Sequence, residues 1–243
     1  MALNIGSSFN SIYRSYQKNT NALSNTMRQL SSGYRINSAA DDAAGLAVSE
    51  KMRALIAQYA ASYDNAQMDM SFAQTGDGAL SSVHESLGRM RELAVQASNG
   101  TYSDSDRAVL QREFEQLQSE VSRVYDSTNF NGNTVLGNMP DLSSFNIGTQ
   151  DGALAAMDGI TAAVNAVSDQ RGDFGAQQNG AERTANAMMN AWINTQDSES
   201  QIRDLDIALA VMENTKNQIL RQSSIFMMAQ ARQQASSVLA FLR

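Results

Sequence analysis

Apolar side chains recur every three, four or seven residues along nearly the whole chain. In the first segment Phe9, Ile12, Tyr16, Leu23, Met27, Leu30 and Tyr34 keep that spacing, which predicts a helix with one coiled-coil seam. Ile202, Leu205, Leu209, Met212, Ile219 and Phe226 repeat the pattern near the other end. Two matching seams at the ends of one chain are most simply laid side by side.

Between them, Met52, Leu55, Tyr59, Ser62, Ala66, Met70, Ala73, Leu80, Val83, Leu87, Met90 and Ala94 predict one very long helix. Gly76 and Gly78 fall inside it, and each costs about 1 kcal/mol against alanine, so a soft spot is expected there. The stretch SNGTYSDSD, residues 98–106, breaks the helix, with Ser103 or Asp104 placed to cap the next. That helix carries Leu110, Phe114, Leu117, Val121, Val124 and Thr128 on one stripe. The period then changes. Asn131-Gly132 and the region Gly137 to Pro140 are turn chemistry, and TVL and SFNIG are short strand candidates, so a small hairpin is expected at about 131–150. A further stripe from Met157 through Ile160, Val164, Val167 and Phe174 to Trp192 predicts another long helix. The fold class is mainly α: an elongated rod of long antiparallel helices, with coiled-coil terminal helices and a small β-hairpin near mid-sequence.

Composition sharpens this picture. The 243 residues include one proline, no cysteine and 7% aromatics, which suits long helices with small packing residues. Without cysteine there is no disulfide and no thiolate chemistry. The single histidine, His84, cannot build a multi-histidine zinc site and reads as a partly exposed helix residue. The net charge of −7 is unevenly spread: residues 1–34 and 208–243 each carry +3, which leaves −13 for the middle. The basic residues are well spaced and not interleaved with aromatics on one face, which argues against nucleic acid. No apolar run reaches the roughly 20 residues that cross a bilayer, and the N-terminus lacks the apolar core of a secretory signal.

One stretch raises the question of chemistry directly. SSGYRINSAADDAAGLAVSEKMR, residues 31–53, sets Asp41 beside Asp42, and paired carboxylates can serve acid–base chemistry or hold a metal. No partner for such a role is found elsewhere in the sequence. The simpler reading is a joint: Gly33 ends the first helix, Arg35 to Ala40 form a spoke, and the aspartates favour the exposed amides at the next helix start.

The residues carry a family resemblance. The opening MALNIGSSFNSIYRSYQKNTNALSNTMRQLSSGYRINSAADDAAGLAVSEKMR, then LGRMRELAVQASNGTYSDSDR at 87–107, DSTNFNGNTVL at 126–136 and AQARQQASSVLAFLR at 229–243, are similar to bacterial flagellin signatures. The resemblance implies a structural subunit that polymerises into the flagellar filament and gives swimming motility. It implies export in unfolded form through the flagellar type III system without a cleaved signal, and an extracellular location in the filament. Residues 1–40 with 203–243 are expected to form the inner tube. Residues 41–202 are expected to form a helical rod domain, with no large outer variable domain. Filament-core packing is then expected of Phe9, Ile12, Tyr16, Leu23, Met27, Leu30, Leu209, Met212, Ile219 and Phe226, and a spoke and helix cap of Arg35, Asp41 and Asp42.

The partners implied are further copies of the chain, the C-terminal export chaperone, filament cap and hook-junction proteins, and the Toll-like flagellin receptor. Arg89, Leu93 and Glu113 match receptor-recognition positions, and Arg89 and Leu93, four apart, are expected on one helix face. Val238, Leu239, Phe241 and Leu242 resemble the segment read by inflammasome sensors, with Phe241 where leucine is commoner. Gly180 and Trp192 also depart from the family pattern. Neither enzyme activity nor a cofactor, nucleic acid or membrane insertion is implied; a protease variant would need a His-Glu-x-x-His helix, which one histidine cannot supply. A hook–filament junction protein shares flagellin-like ends, but RELAVQASNG and NFNGNTVL favour the bulk subunit. The sequon Asn99-Gly100-Thr101 lies at the predicted helix break.

Overall fold

The structure is a computed structural model in which residues 3–241 are described, with side chains described for 9–234, 236 and 237. The described residues form five helices and one hairpin: α1 (Leu3–Ser32), α2 (Ala43–Ser98), α3 (Asp104–Ser127), β1 (Asn129–Phe130), β2 (Asn133–Thr134), α4 (Gln150–Arg203) and α5 (Ile207–Phe241). The chain divides into two compact units, Met1–Gln58 with Trp192–Arg243, and Tyr59–Ala191. Both divisions fall inside long helices.

The starts of α2, α3, α4 and α5 each have a polar cap that takes up an orphan amide. Asp42 accepts from the Gly45 amide at 2.9 Å, Thr149 Oγ1 from Gly152 at 3.1 Å, and Asp206 from Leu209 at 3.1 Å. Ser103 and Asp106 form a reciprocal capping box at the start of α3. The first helix ends at Gly33, whose φ of +75° closes a bond from its amide to the Gln29 carbonyl at 2.8 Å.

In the unit Tyr59–Ala191, the later part of α2, all of α3 and the first part of α4 enclose a core of large apolar side chains. Leu80, Val83, Leu87, Met90, Phe114, Val121, Ile147, Ile160 and Val167 are buried there. The α2 and α4 segments run antiparallel, as Gly76 meeting Phe174 shows beside the Asp77–Arg171 ion pair at 2.7 Å. The buried Arg107 serves the far end of α2, donating to the carbonyls of Ala97 at 2.9 Å and Asn99 at 3.1 Å. The segment before α4 is pinned to α3 by side chains: Gln111 accepts from the Ile147 amide at 2.7 Å, and Gln118 donates to the Leu142 carbonyl.

Two expectations are corrected here. The hairpin is shorter than the predicted 131–150: β1 and β2 pair antiparallel as Asn129 with Thr134 and Phe130 with Asn133. Asn131 and Gly132 supply φ of +51° and +82°, as a two-residue primed turn requires. The predicted strand SFNIG is irregular because its polar backbone is satisfied by α3 side chains rather than by a neighbouring strand. Nor is Gly76 a soft spot. The α2 helix passes through it unbroken, and a Cβ there would lie 2.5 Å from the Phe174 ring, so this glycine admits a close aromatic contact. Phe174 in turn lies edge-on to Phe72 at 6.3 Å, and Phe72 to Phe130 of the hairpin at 6.0 Å.

Candidate assembly surface

The second unit pairs α1 with α5. The inward face of α1 keeps a heptad spacing: Phe9, Ile12, Tyr16, Asn19, Leu23, Thr26 and Leu30 are buried or half-buried. Met27, expected in this seam, is instead 55% exposed, because the polar Thr26 takes the inward position beside it. On α5 the inward positions are Ala210, Asn214, Asn217, Arg221, Ser224, Met228 and Ala231, again in strict heptad spacing. Asn214 donates to Thr26 Oγ1 at 3.4 Å and accepts from Gln218 at 3.0 Å. Buried asparagines of this kind fix register at a cost in stability.

The predicted α5 seam is therefore the wrong face for packing within the subunit. Leu209, Met212, Ile219 and Phe226 are 57%, 65%, 60% and 76% exposed. Met212, Ile219 and Phe226 stand seven apart, and Val211, Leu220, Ile225 and Met227 are exposed around them. The hydrophobic spacing was real, but a helix apolar on more than one side has two seams. The small and polar one meets α1, and the large apolar one faces outward.

The connections between helices in this unit clasp each other. The Arg35 amide donates to the Arg203 carbonyl at 2.7 Å, and the Leu205 amide to the Gly33 carbonyl at 3.0 Å, so Tyr34 and Asp204 form an antiparallel bridge. The Arg35 guanidinium donates to the Ile202 carbonyl. Arg203 lies 4.7 Å over the Tyr34 ring and pairs with Glu50 at 3.2 Å.

The two aspartates divide the work. Asp42 caps α2, whereas Asp41 closes the preceding turn, accepting from the Asn37 amide at 3.2 Å and from the Ser38 amide and hydroxyl at 2.9 and 3.0 Å. The Ser38 hydroxyl, helped by those amides, holds the Asp41 carboxyl below the usual aspartate range. Gly45 completes the joint, since a Cβ there would strike both Asp42 and Ile36. The arrangement is that of a structural joint, with every carboxylate oxygen contact made to the turn or the helix start.

Comparison with known proteins gives the family. The bacterial flagellin N-terminal helical region matches residues 4–140, and the bacterial flagellin C-terminal helical region matches residues 157–242. The chain belongs to the flagellins. A flagellin of Halalkalibacterium halodurans is 41% identical over 260 residues, covering 95% of this chain and 96% of that protein. The flagellar filament 30.7 kDa core protein of Treponema maltophilum is 39% identical, covering 92% and 93% respectively. A flagellin of Bacillus subtilis is 35% identical, covering 93% and 94%.

Among the remaining positions that the family resemblance singled out in this flagellin, Arg89, Leu93 and Glu113 belong to the unit Tyr59–Ala191. Arg89 donates to Glu113 at 2.8 and 2.9 Å and to Glu92 at 2.9 Å, which raises its pKa, and the Arg89 and Glu113 side chains are half-exposed. Leu93 does not share their face. It is fully buried against the core, because a residue four further along α2 has turned about 40° past a full revolution, toward α3 and α4. Leu242 and the side chains of Val238, Leu239 and Phe241 lie outside the described residues. His84 is partly buried on α2, and its Nδ1 has no hydrogen-bond partner. Among the described residues, no helix is long and apolar enough to cross a membrane.

Proposed function

We propose that this flagellin is a structural subunit of the bacterial flagellar filament, polymerising through the outward face of α5. The observation that carries this is the exposed row Met212, Ile219 and Phe226. Three large apolar side chains in one line along a helix call for cover, and in a chain of this family the cover is a further copy of itself. The polar seam between α1 and α5 supports the same reading. It holds the pair in register while leaving most of its apolar surface for neighbours, so folding of this unit completes on assembly.

The role is mechanical rather than enzymatic and calls for no cofactor. Localisation in the extracellular filament follows from it, as do partnerships with an export chaperone, with filament cap and hook-junction proteins, and with neighbouring subunits. Recognition by the Toll-like flagellin receptor is supported on the exposed Arg89–Glu113 pair, with Leu93 acting from the core as a support for that surface.

The test is seeded growth. Purified subunits are added to sheared filament seeds and followed by electron microscopy, with a variant lacking residues 208–243 in parallel. The expected outcome is filaments from the full chain and none from the truncation. Absence of filaments from the full chain, or equal growth by the truncation, overturns the reading.

A further inference from the structure

We propose that the thioethers of Met27, Met212 and Met227 form an oxidation site through which a two-electron oxidant of the peroxide class reversibly blocks assembly. The inference rests on the reading that the outward face of α5 is covered by a second copy.

Sulfur in this protein is confined to methionine, because the chain has no cysteine to react first. The methionines differ sharply in access. Met27, Met212 and Met227 are 55%, 65% and 55% exposed, whereas Met90 is fully buried in the core of the other unit. Met27, Met212 and Met227 lie in the unit that pairs α1 with α5, whereas Met68, Met139 and Met189, 60%, 40% and 39% exposed, belong to the other unit and not to the outward row of α5. Met212 lies in line with Ile219 and Phe226, and Met227 adjoins Phe226 and reaches the groove formed with Ile12 and Ser15 of α1. Met27 is on the outer side of α1, which also exposes Tyr13.

The chemistry is self-contained. A sulfur lone pair attacks one peroxide oxygen, the O–O bond breaks, and the departing hydroxide takes the transferred proton to leave as water. Sulfur is oxidised by two electrons to the sulfoxide and the peroxide is reduced. The sulfoxide is far more polar and more strongly hydrated than the thioether, so covering it with a second copy costs a desolvation that the thioether does not. Once a subunit is assembled, burial would shield the same sulfurs, so the block acts on free subunits. Methionine sulfoxide reductases of both epimer specificities, with a dithiol as reductant, reverse it.

The experiment treats free subunits with hydrogen peroxide until peptide masses show Met27, Met212 and Met227 as sulfoxides, with the equally exposed Met68 oxidised beside them and Met90 unchanged, then adds filament seeds. The critical concentration for growth is expected to rise about tenfold or more, the effect of one unsatisfied polar group buried at an interface. It should return to its starting value after reductase treatment. A Met27→Leu/Met212→Leu/Met227→Leu variant, which keeps Met68 and so separates its effect, should grow equally with and without peroxide. Oxidised subunits that grow like untreated ones overturn the proposal, as does a leucine variant that keeps full peroxide sensitivity. If that variant does not assemble at all, the reductase arm decides: restored masses without restored growth overturn the proposal. Untreated subunits that fail to grow count against the assembly reading itself.

Discussion

The two compact units bury different things. In the unit Tyr59–Ala191 the interior is Leu80, Leu87, Met90, Phe114, Ile147 and Ile160, large side chains with no access to water. In the unit that pairs α1 with α5, the buried positions among the described residues include Thr26, Ser49, Asn214, Asn217 and Ser224, and the largest apolar side chains of α5 are outside. One unit has completed its core within a single chain, while the other keeps the large apolar side chains of α5 on the surface. The contrast separates two jobs that a hydrophobic stripe can do, holding a subunit together and holding subunits to each other. Identical sequence spacing serves both.

The sharpest way to break the comparison is to put a charge on each kind of stripe. Phe226→Asp should abolish filament growth while leaving the subunit's urea midpoint within the roughly 0.5 kcal/mol typical of surface changes. Seeded growth and circular dichroism on the same preparation check both halves. A loss of helicity equal to that of a core variant would show Phe226 to be part of the subunit's own packing. Phe114→Ala is the mirror case. It removes a fully buried ring from the complete core and should cost about 3–5 kcal/mol in urea unfolding.

This division also explains what was legible in the sequence. The helices, their order and the break at 98–106 were readable, because periodicity, caps and turn residues are local signals. The joint was readable for the same reason: Gly33, Asp41 and Asp42 announce a stop and a start. Which of two stripes on α5 would turn inward was not. Apolar spacing selects the more hydrophobic row, yet register here is set by Asn214 meeting Thr26, a contact between residues 188 positions apart. The burial of Leu93 is hidden from the sequence for a related reason, since four residues of helix leave a residue on the same side only approximately, and α3 and α4 occupy the difference. The SFNIG segment has strand-like composition, but its Ile147 amide and Phe145 carbonyl are partnered by Gln111 and Gln118 of α3, which no local pattern reveals.

Gly76 gives a smaller test of the complete core. Its missing Cβ is occupied by Phe174, so Gly76→Ala sets the ordinary helix gain of about 1 kcal/mol against an overpacking cost of about 1–3 kcal/mol. The ring is wedged between α2 and Phe72, so the cost should win and the urea midpoint should fall. At Gly78, where a Cβ meets nothing, the same substitution should stabilise. Opposite signs at two glycines two residues apart would establish that packing decides; equal signs would return both to simple helix propensity.

The smallest effects belong to the capping turns, and they compare the units once more. Asp42→Ala removes the α2 cap at a cost of about 1 kcal/mol. Asp41 in one unit and Asp106 in the other are exposed carboxylates whose pKa is lowered chiefly by a serine hydroxyl, Ser38 and Ser103 respectively. A folded value below the unfolded one means that each carboxylate adds stability above the ordinary aspartate pKa and loses it as the pH falls through the folded value. Ser38→Ala should therefore raise the Asp41 value toward the ordinary one in a carboxyl NMR titration and leave Asp106 where it was. Ser103→Ala should do the converse. If either substitution moves both carboxylates, the turns are not independent, and the acid response belongs to the whole subunit rather than to two local hydrogen-bonded loops.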